Sequence, residues 1–395
     1  MKPFEQSVQE KDYSNVEALV RGNTEFALDL YQKLRTVEGN LFFSPYSIST
    51  ALAMTYAGAR GNTEAQMAET LHFTLGQKYL HPAFASLEAK LKIVQQKGHI
   101  QLKVANSLWP QVRYPFLEEF LALTKEYYGV LITPVDYRKP EAAREIINAW
   151  VEEKTQGKIG ELIPSGVLDP LTRLVLTNAI YFKGNWASQF DKTLTANAPF
   201  WVTPAEAVKV PMMAQKNEFR YAENDTLQIL ELPYVGNDLS LIVLLPKKVD
   251  GLTELEDKLT VETLREWTSS LWRREVQVFL PRFRLGCRYE LSKTLKAMGM
   301  TDAFDSGKAD FSGMDGRVHW LYIFKVFHNA FIDVNEEGAE ATAATAVIIK
   351  ARSRRMPTPP ETFRADHPFI FLVRENSTGS ILFLGRVVNP MQKAA

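Results

Sequence analysis

Asn335-Glu336-Glu337-Gly338-Ala339-Glu340-Ala341-Thr342-Ala343-Ala344-Thr345-Ala346, followed six residues on by Arg352-Ser353, is the stretch on which the reading of this chain turns. It is made almost wholly of small side chains, lies near the C-terminus and runs into a basic loop, Arg352-Ser353-Arg354-Arg355. In an extended strand, side chains alternate between two faces. Residues 339–350 then present Ala339, Ala341, Ala343, Thr345, Val347 and Ile349 on one side. Glu340, Thr342, Ala344, Ala346, Ile348 and Lys350 lie on the other. The first face has neither charge nor proline, so a closed apolar core could accept it; the second carries its polar groups at the two ends. Gly338 supplies a backbone pivot just before it. Composition alone favours an alanine-rich helix or a linker, because Ala has the highest helix propensity. Yet a linker here would join a strand ending at Val334 to one beginning near Phe369, and so long a structureless connection inside a domain is usually functional. The arginines likewise read as a solvated basic loop or a processing or localisation signal, and also as bait for proteases that seat a basic side chain over an acidic group.

Working outward, the 395 residues are enough for a large core, and the 46 basic residues balance 46 acidic ones. Bulk charge therefore gives no argument for nucleic acid or an anionic membrane as partner. Cys287 is the only cysteine, which excludes an intrachain disulfide and a cysteine-rich metal site. No apolar run reaches spanning length, and Leu239 to Leu245 reads as a buried strand. Met1 to Ser14 is polar and lacks the apolar core and small-residue cleavage site of a signal peptide. With the lone cysteine, this favours a cytoplasmic location and leaves secretion open.

The first half reads as helical. Asn23 or Thr24 can cap a helix with Phe26, Leu30, Tyr31 and Leu34 on one face. Leu41 to Pro45 is a short strand, and Ser47 opens an apolar helix over Ile48 to Ala59. Thr63 with Gln66 suggests a capping box. Helices are predicted over Pro82–Gln96, Pro115–Tyr127 and Pro140–Lys154, the last with Ile146, Ile147 and Trp150 on one face. From Leu174 the pattern changes to strands, with Leu174 to Phe182 apolar enough for a central strand covered on both sides. A helical pattern returns over Leu252–Leu271. Strands follow at Val276–Leu285, Lys325–Val334 and Phe369–Val388. Helices first and antiparallel strands later give an α+β class. With no repeat and no Pro/Gly/Ser-rich linker, residues 1–395 read as one domain.

Enzyme motifs are missing: there is no Gly-x-Ser-x-Gly, His-Glu-x-x-His, Walker loop or Gly-x-Gly-x-x-Gly. No two of the six histidines are spaced i, i+3 or i, i+4 as a helical metal site requires. A dispersed Ser/His/Asp triad is a weaker third reading, since triads are defined in space. His328, within Lys325-Val326-Phe327-His328-Asn329-Ala330-Phe331, reads by itself as a buried histidine satisfied by a hydroxyl or amide.

Five stretches together resemble the serpins, the serine-protease inhibitor family. Asn335 to Ala346 is similar to the family's hinge, and Phe42-Phe43-Ser44-Pro45-Tyr46-Ser47-Ile48-Ser49 to its early strand-to-helix motif. Thr177-Asn178-Ala179-Ile180-Tyr181-Phe182-Lys183-Gly184-Asn185-Trp186 resembles its central-sheet strand. Asp366-His367-Pro368-Phe369-Ile370-Phe371 and Phe383-Leu384-Gly385-Arg386-Val387-Val388-Asn389-Pro390 resemble its C-terminal strands. The similarity runs from about residue 20 to 390.

The resemblance implies a serpin fold of three β-sheets and eight or nine helices, with a reactive-centre loop exposed over about 336–360. It implies a suicide-substrate inhibitor, not an enzyme. The target protease is held as a covalent acyl complex when the cut loop enters the central sheet as a new strand. A trypsin-like serine protease is the expected partner of a monomer that needs no cofactor or metal; a non-inhibitory carrier, chaperone or storage serpin is the alternative. Family spacing puts the scissile residue fourteen beyond Gly338, at Arg352-Ser353. The far arm of the loop is long, so Arg355-Met356 stands as the other candidate bond. Ser44, Ser47, Asn178 and His328 match the family's shutter, under the place where strands part. Trp186, Arg282 and Glu336 match the breach, where insertion begins. Glu336, Glu337, Gly338, Ala339, Glu340, Ala341, Thr342, Ala343, Ala344, Thr345 and Ala346 make up the hinge. Lys90, Lys92 and Lys97 are interspersed with acids, and polyanion binding is not expected.

Overall fold

The structure is a computed structural model that describes residues 3–130, 132–338 and 359–392. The first half contains α1 (Pro3–Leu34), β1 (Leu41–Phe43), α2 (Pro45–Tyr56), α3 (Gly61–Thr70), α4 (Gln77–Gln96), β2 (Ile100–Pro110), α5 (Glu118–Tyr128), α6 (Pro140–Lys154) and β3 (Leu174–Gly184). Then come β4 (Ala196–Thr203), β5 (Glu206–Glu223), β6 (Leu227–Pro233), β7 (Leu239–Pro246), α7 (Leu252–Asp257), α8 (Val261–Ser269), β8 (Trp272–Pro281) and β9 (Phe283–Glu290). The chain closes with α9 (Ser292–Ala297), α10 (Ser312–Asp315), β10 (Val326–Val334), β11 (Glu361–Arg364), β12 (Phe369–Glu375) and β13 (Ile381–Val387).

Among the described residues these strands form two hydrogen-bonded sheets. One has nine strands, ordered β1-β13-β12-β7-β6-β5-β8-β11, with β4 also on β5; the other has four, ordered β2-β3-β10-β9. The three sheets expected run together into two because β5, eighteen residues long, is shared. It pairs with β4 over its first part, with β8 from Met212 to Tyr221 and with β6 over its last four residues. The ten described α-helices include the four-residue α10.

Several local readings are corrected. Asn23 and Thr24 lie inside α1 rather than at its start, because Val16, Leu19 and Val20 extend the buried stripe backwards. Asn23 instead accepts from the Ser49 hydroxyl at 2.6 Å. Thr63 and Gln66 form no capping box: their side chains accept from the backbone N–H groups of Asp310 and of Thr301 and Asp302. The pattern over Leu252–Leu271 is two helices, α7 and α8, with a capping box of Thr260 and Thr263 between them. Ile146 is exposed, and the buried face of α6 is Ala143, Ile147, Asn148 and Val151.

The small sheet is covered on both sides, as the unbroken apolar run of β3 requires. On one face Ile147 and Val151 of α6 and the following Ile159, Leu162 and Ile163 pack with Ala105, Trp109, Val175, Ala179 and Phe327. On the other, Leu176, Ile180, Phe182, Ala330 and Ile332 join the main core with α2 and the hairpin β12–β13.

Candidate functional site

At the centre of the four-stranded sheet, β3 and β10 are parallel neighbours, in register from Val326 opposite Leu176 to Ile332 opposite Phe182. Their outer partners, β2 and β9, are both antiparallel. Two polar clusters tie this seam, one where β10 ends and one beneath its start.

Where β10 ends, the chain turns through Asn335 to Gly338 across the end of β3. The indole Nε1 of Trp186 donates to the Asn335 carbonyl at 2.8 Å. The backbone N–H groups of Trp186 and Phe190 donate to the carbonyls of Glu337 and Glu336 at 3.1 and 2.9 Å. Trp186 is itself stacked on Tyr234, with ring centroids 4.6 Å apart. The Glu336 carboxylate is buried and accepts from the Thr195 hydroxyl at 2.7 Å, with Arg282 Nε 3.2 Å from its other oxygen. Lys192 pairs with Glu337. Gly338 has a φ of +86°, and a Cβ there would lie 2.3 Å from the Gly184 carbonyl oxygen and 2.4 Å from the Trp186 nitrogen. Only glycine fits this crossing without strain.

Beneath the start of β10 the cluster is neutral, and all of it but the half-buried Asn106 is buried. Ser44 caps α2, its hydroxyl accepting from the Ser47 N–H at 3.1 Å and donating to the Leu382 carbonyl at 2.6 Å. The Ser44 N–H donates to His328 Nε2 at 3.0 Å. That bond fixes the tautomer: Nε2 is the acceptor, so Nδ1 carries the proton and donates to the Asn178 side-chain oxygen. The Asn178 amide donates to the Ser47 carbonyl and hydroxyl, each at 2.6 Å, and to Asn106 Oδ1 at 2.7 Å. His328 is fully buried, and burial lowers the imidazole from its ordinary 6.5 to about 3. Tyr289 lies parallel to it at 6.5 Å, and burial raises that phenol.

Residues 21–390 match the family model described as serpin, serine protease inhibitor. The chain belongs to the serpin family. Leukocyte elastase inhibitor of Homo sapiens is 46% identical over 386 residues, 95% of this chain and 100% of that protein. Leukocyte elastase inhibitor of Xenopus laevis is 43% identical over 384 residues, again with 100% of that protein covered. Among solved structures, uncleaved ovalbumin superposes with a TM-score of 0.85 at 34% identity, over 94% of this chain and 100% of that one. Serpin48 of the insect Tenebrio molitor, described as highly specific, gives 0.83 at 33%, over 94% and 98%. The fold is the serpin fold, and the protein is a protease inhibitor rather than an enzyme.

For this serpin the structure brings Ser44, Ser47, Asn178 and His328 into one hydrogen-bonded group, and Trp186, Arg282 and Glu336 into another. Glu337 and Gly338 are the last residues described before the loop. Ala339, Glu340, Ala341, Thr342, Ala343, Ala344, Thr345, Ala346, Arg352, Ser353, Arg355 and Met356 lie outside the described residues. Sequence reasoning missed Asn106, Thr195 and Lys192. Asn106 carried a signal: it interrupts the alternating apolar series Leu102, Val104, Leu108 of β2. Thr195 and Lys192 carried none, being polar residues of an ordinary turn. No helix among the described residues is long and apolar enough to cross a membrane.

Proposed function

We propose that the chain, acting as one domain, is a suicide-substrate inhibitor of trypsin-like serine proteases. The observation that carries this is the seam: two parallel strands with a glycine pivot set over the end of one of them. A segment turning back at Gly338 runs antiparallel to both β3 and β10. Insertion would exchange one parallel ladder for two antiparallel ones, which are slightly more stable per residue. About a dozen new ladder bonds, each worth roughly 1 kcal/mol, would contribute on the order of 10 kcal/mol. The small, uncharged face of Ala339, Ala341, Ala343 and Thr345 suits entry into the core. The uncut form is then held kinetically.

The chemistry belongs to the protease. Its serine oxygen attacks the Arg352 carbonyl carbon, the Arg352–Ser353 bond breaks, and the Ser353 nitrogen leaves with a proton. Arg352 remains as an acyl ester. Insertion carries the esterified protease along the sheet before water can attack. In this reading Ser44, Ser47, Asn178 and His328 form the shutter that must rearrange, Trp186, Arg282 and Glu336 form the breach, and Glu336 to Ala346 form the hinge. The relatives are named for elastase; the arginine at 352 turns this chain toward proteases with an acidic specificity pocket. The lone Cys287, which is buried, supports the cytoplasm as its location.

The test is a denaturing gel of the chain mixed with trypsin or with leukocyte elastase. A covalent complex with trypsin is expected, abolished by Arg352→Ala and kept by Arg355→Ala. The reverse pattern moves the bond to Arg355-Met356. A complex with elastase alone overturns the trypsin-like specificity, and cleavage without any complex means a non-inhibitory serpin.

A further inference from the structure

We propose that a cavity between β9, β10 and the strap that follows α6 binds a free aromatic α-amino acid. The site does not depend on the inhibitory reading above. The cavity measures ≈320 Å³. Its floor is the face of β9 and β10 that looks toward α6, and its roof is the strap at 158–161. A cavity of about 150 Å³ holds a benzene. This one therefore has room for a ring with a short polar tail.

The register divides the floor into two halves. Residues directly opposite each other in an antiparallel pair share a face and touch. Asn329 is opposite Arg288, and Phe331 is opposite Gly286. A polar pair thus lies beside an apolar one on the same face. Gly286 keeps the apolar half open, since a Cβ there would stand 3.3 Å from the Phe331 ring.

The polar half has bonding capacity to spare. Asn329 is 6% exposed, and its Oδ1 has no hydrogen-bond partner among the described residues. A buried acceptor left unpaired is costly. The Asn329 amide nitrogen donates to the Glu161 carbonyl at 3.4 Å, a bond long enough for the amide to turn toward a better donor. Arg288 donates to the same carbonyl, while its Nη1 stands 3.7 Å from a Glu161 carboxylate oxygen, beyond hydrogen-bond length. Both side chains of this loose pair are nearly half exposed. Two opposite charges are thereby offered side by side at the edge of the cavity.

Each group specifies part of the ligand. The planar fork of Arg288 suits a carboxylate. An ammonium on the adjoining carbon donates to Asn329 Oδ1 and faces the Glu161 carboxylate. The ring rests on Phe331 over Gly286, in the offset stacking that aromatic pairs favour. Lys158 is exposed, with its ammonium 6.0 Å from the ring centres of Phe331 and Tyr181, and closes the open side as a cation over the rings. An amine alone leaves Arg288 unmatched, and an acid alone leaves Asn329 unmatched. A residue within a peptide lacks at least one of the two charges, so the free amino acid is the form that fits.

The test is calorimetric titration of the full chain with L-phenylalanine. Saturable one-to-one binding with a Kd of about 1 mM or tighter is expected. Phenethylamine lacks the carboxylate, hydrocinnamate the ammonium and L-alanine the ring; each is expected to bind at least tenfold more weakly. Arg288→Gln is expected to weaken phenylalanine at least tenfold, and Gly286→Val, whose side chain fills the floor, to abolish binding. No saturation by phenylalanine up to about 20 mM overturns the site. Binding within twofold of the unaltered chain in both variants overturns it as well. Equal binding of phenethylamine or hydrocinnamate overturns the assignment to an amino acid. Should the variants fail to fold, hydrogen exchange of the unaltered chain decides. Slower exchange at 158–161 and 286–288 in saturating phenylalanine is expected; unchanged exchange there overturns the site.

Discussion

The two clusters that tie β10 into the sheet use opposite physics. Around His328 every partner is neutral, both ring nitrogens are paired, and the imidazole is fully buried. Around Glu336 a buried carboxylate is met by Arg282, whose side chain is 49% exposed, and the neighbouring Glu337 by the solvated Lys192. Neutral buried networks draw their worth from the cost of leaving a partner unpaired. Half-exposed ion pairs are weakened by water and salt. One end of the seam should therefore respond to protons and the other to ionic strength, a difference that four measurements can break or sharpen.

Acid should have the largest effect. The unfolded chain protonates His328 near 6.5, whereas the folded chain resists down to about 3. Between those values the unfolded state binds the extra proton, so stability is complete above pH 6.5 and is lost as pH falls toward 3. A shift of that size corresponds to about 5 kcal/mol over the whole window. His81, lowered to about 4 by burial and by Arg60, acts in the same direction. Tyr289, the titratable group stacked on His328, stays neutral throughout. Urea midpoints of the uncut protein should fall steeply between pH 6.5 and 4. His328→Gln should remove much of the slope and leave the part due to His81; an unchanged slope in that variant would show that His328 is not the group being titrated.

How much of this contrast is legible in the sequence depends on the range of the interaction. The β3 core strand and the C-terminal hairpin are written in local patterns and fold as those patterns indicate, whereas the helix read as opening at Ser47 begins at Pro45, with Ser44 as its cap. His328 was legible as a satisfied buried histidine from its apolar flanks alone. Its partners Ser44, Ser47 and Asn178, far away along the chain, came from the family resemblance, and Asn106 came from neither. Thr63 and Gln66 mislead for the same reason: their spacing mimics a cap, but their side chains serve the distant 301–310 segment. Spacing reports local bonds, and both clusters are made of contacts between strands and helices that the fold alone brings together.

At the pivot, Gly338→Ala should cost about 2–3 kcal/mol, combining a strained positive φ with a Cβ pressed against the end of β3. The expected result is a lower urea midpoint at every pH, with the acid slope of the unaltered chain retained. A neutral outcome would mean that the turn at 335–338 shifts freely and is not pinned by its close approach to the end of β3. Glu336→Gln should have a smaller effect, about 1–2 kcal/mol, because the amide oxygen can still accept from Thr195 while the charge facing Arg282 is lost. The cost should shrink in 1 M salt. A cost that salt leaves unchanged would place this carboxylate in the same class as the His328 cluster and erase the contrast.

The smallest effect belongs to Lys192→Ala. Lys192 is 67% exposed, and its pair with Glu337 is a solvated ion pair at a turn. Such pairs are worth about 0–1 kcal/mol, since Coulomb attraction in water is offset by the entropy of holding a long side chain. The urea midpoint should move by less than the Glu336→Gln shift, and 1 M salt should abolish the difference. Glu337 also holds the turn by means that do not involve its charge: its N–H donates to Asn335 Oδ1 at 3.1 Å and its carbonyl accepts from Trp186. A loss as large as that of Glu336→Gln would mean that the lysine, and not this backbone pairing, fixes Gly338 over β3. The charged end of the seam would then depend on Lys192 as much as on Arg282.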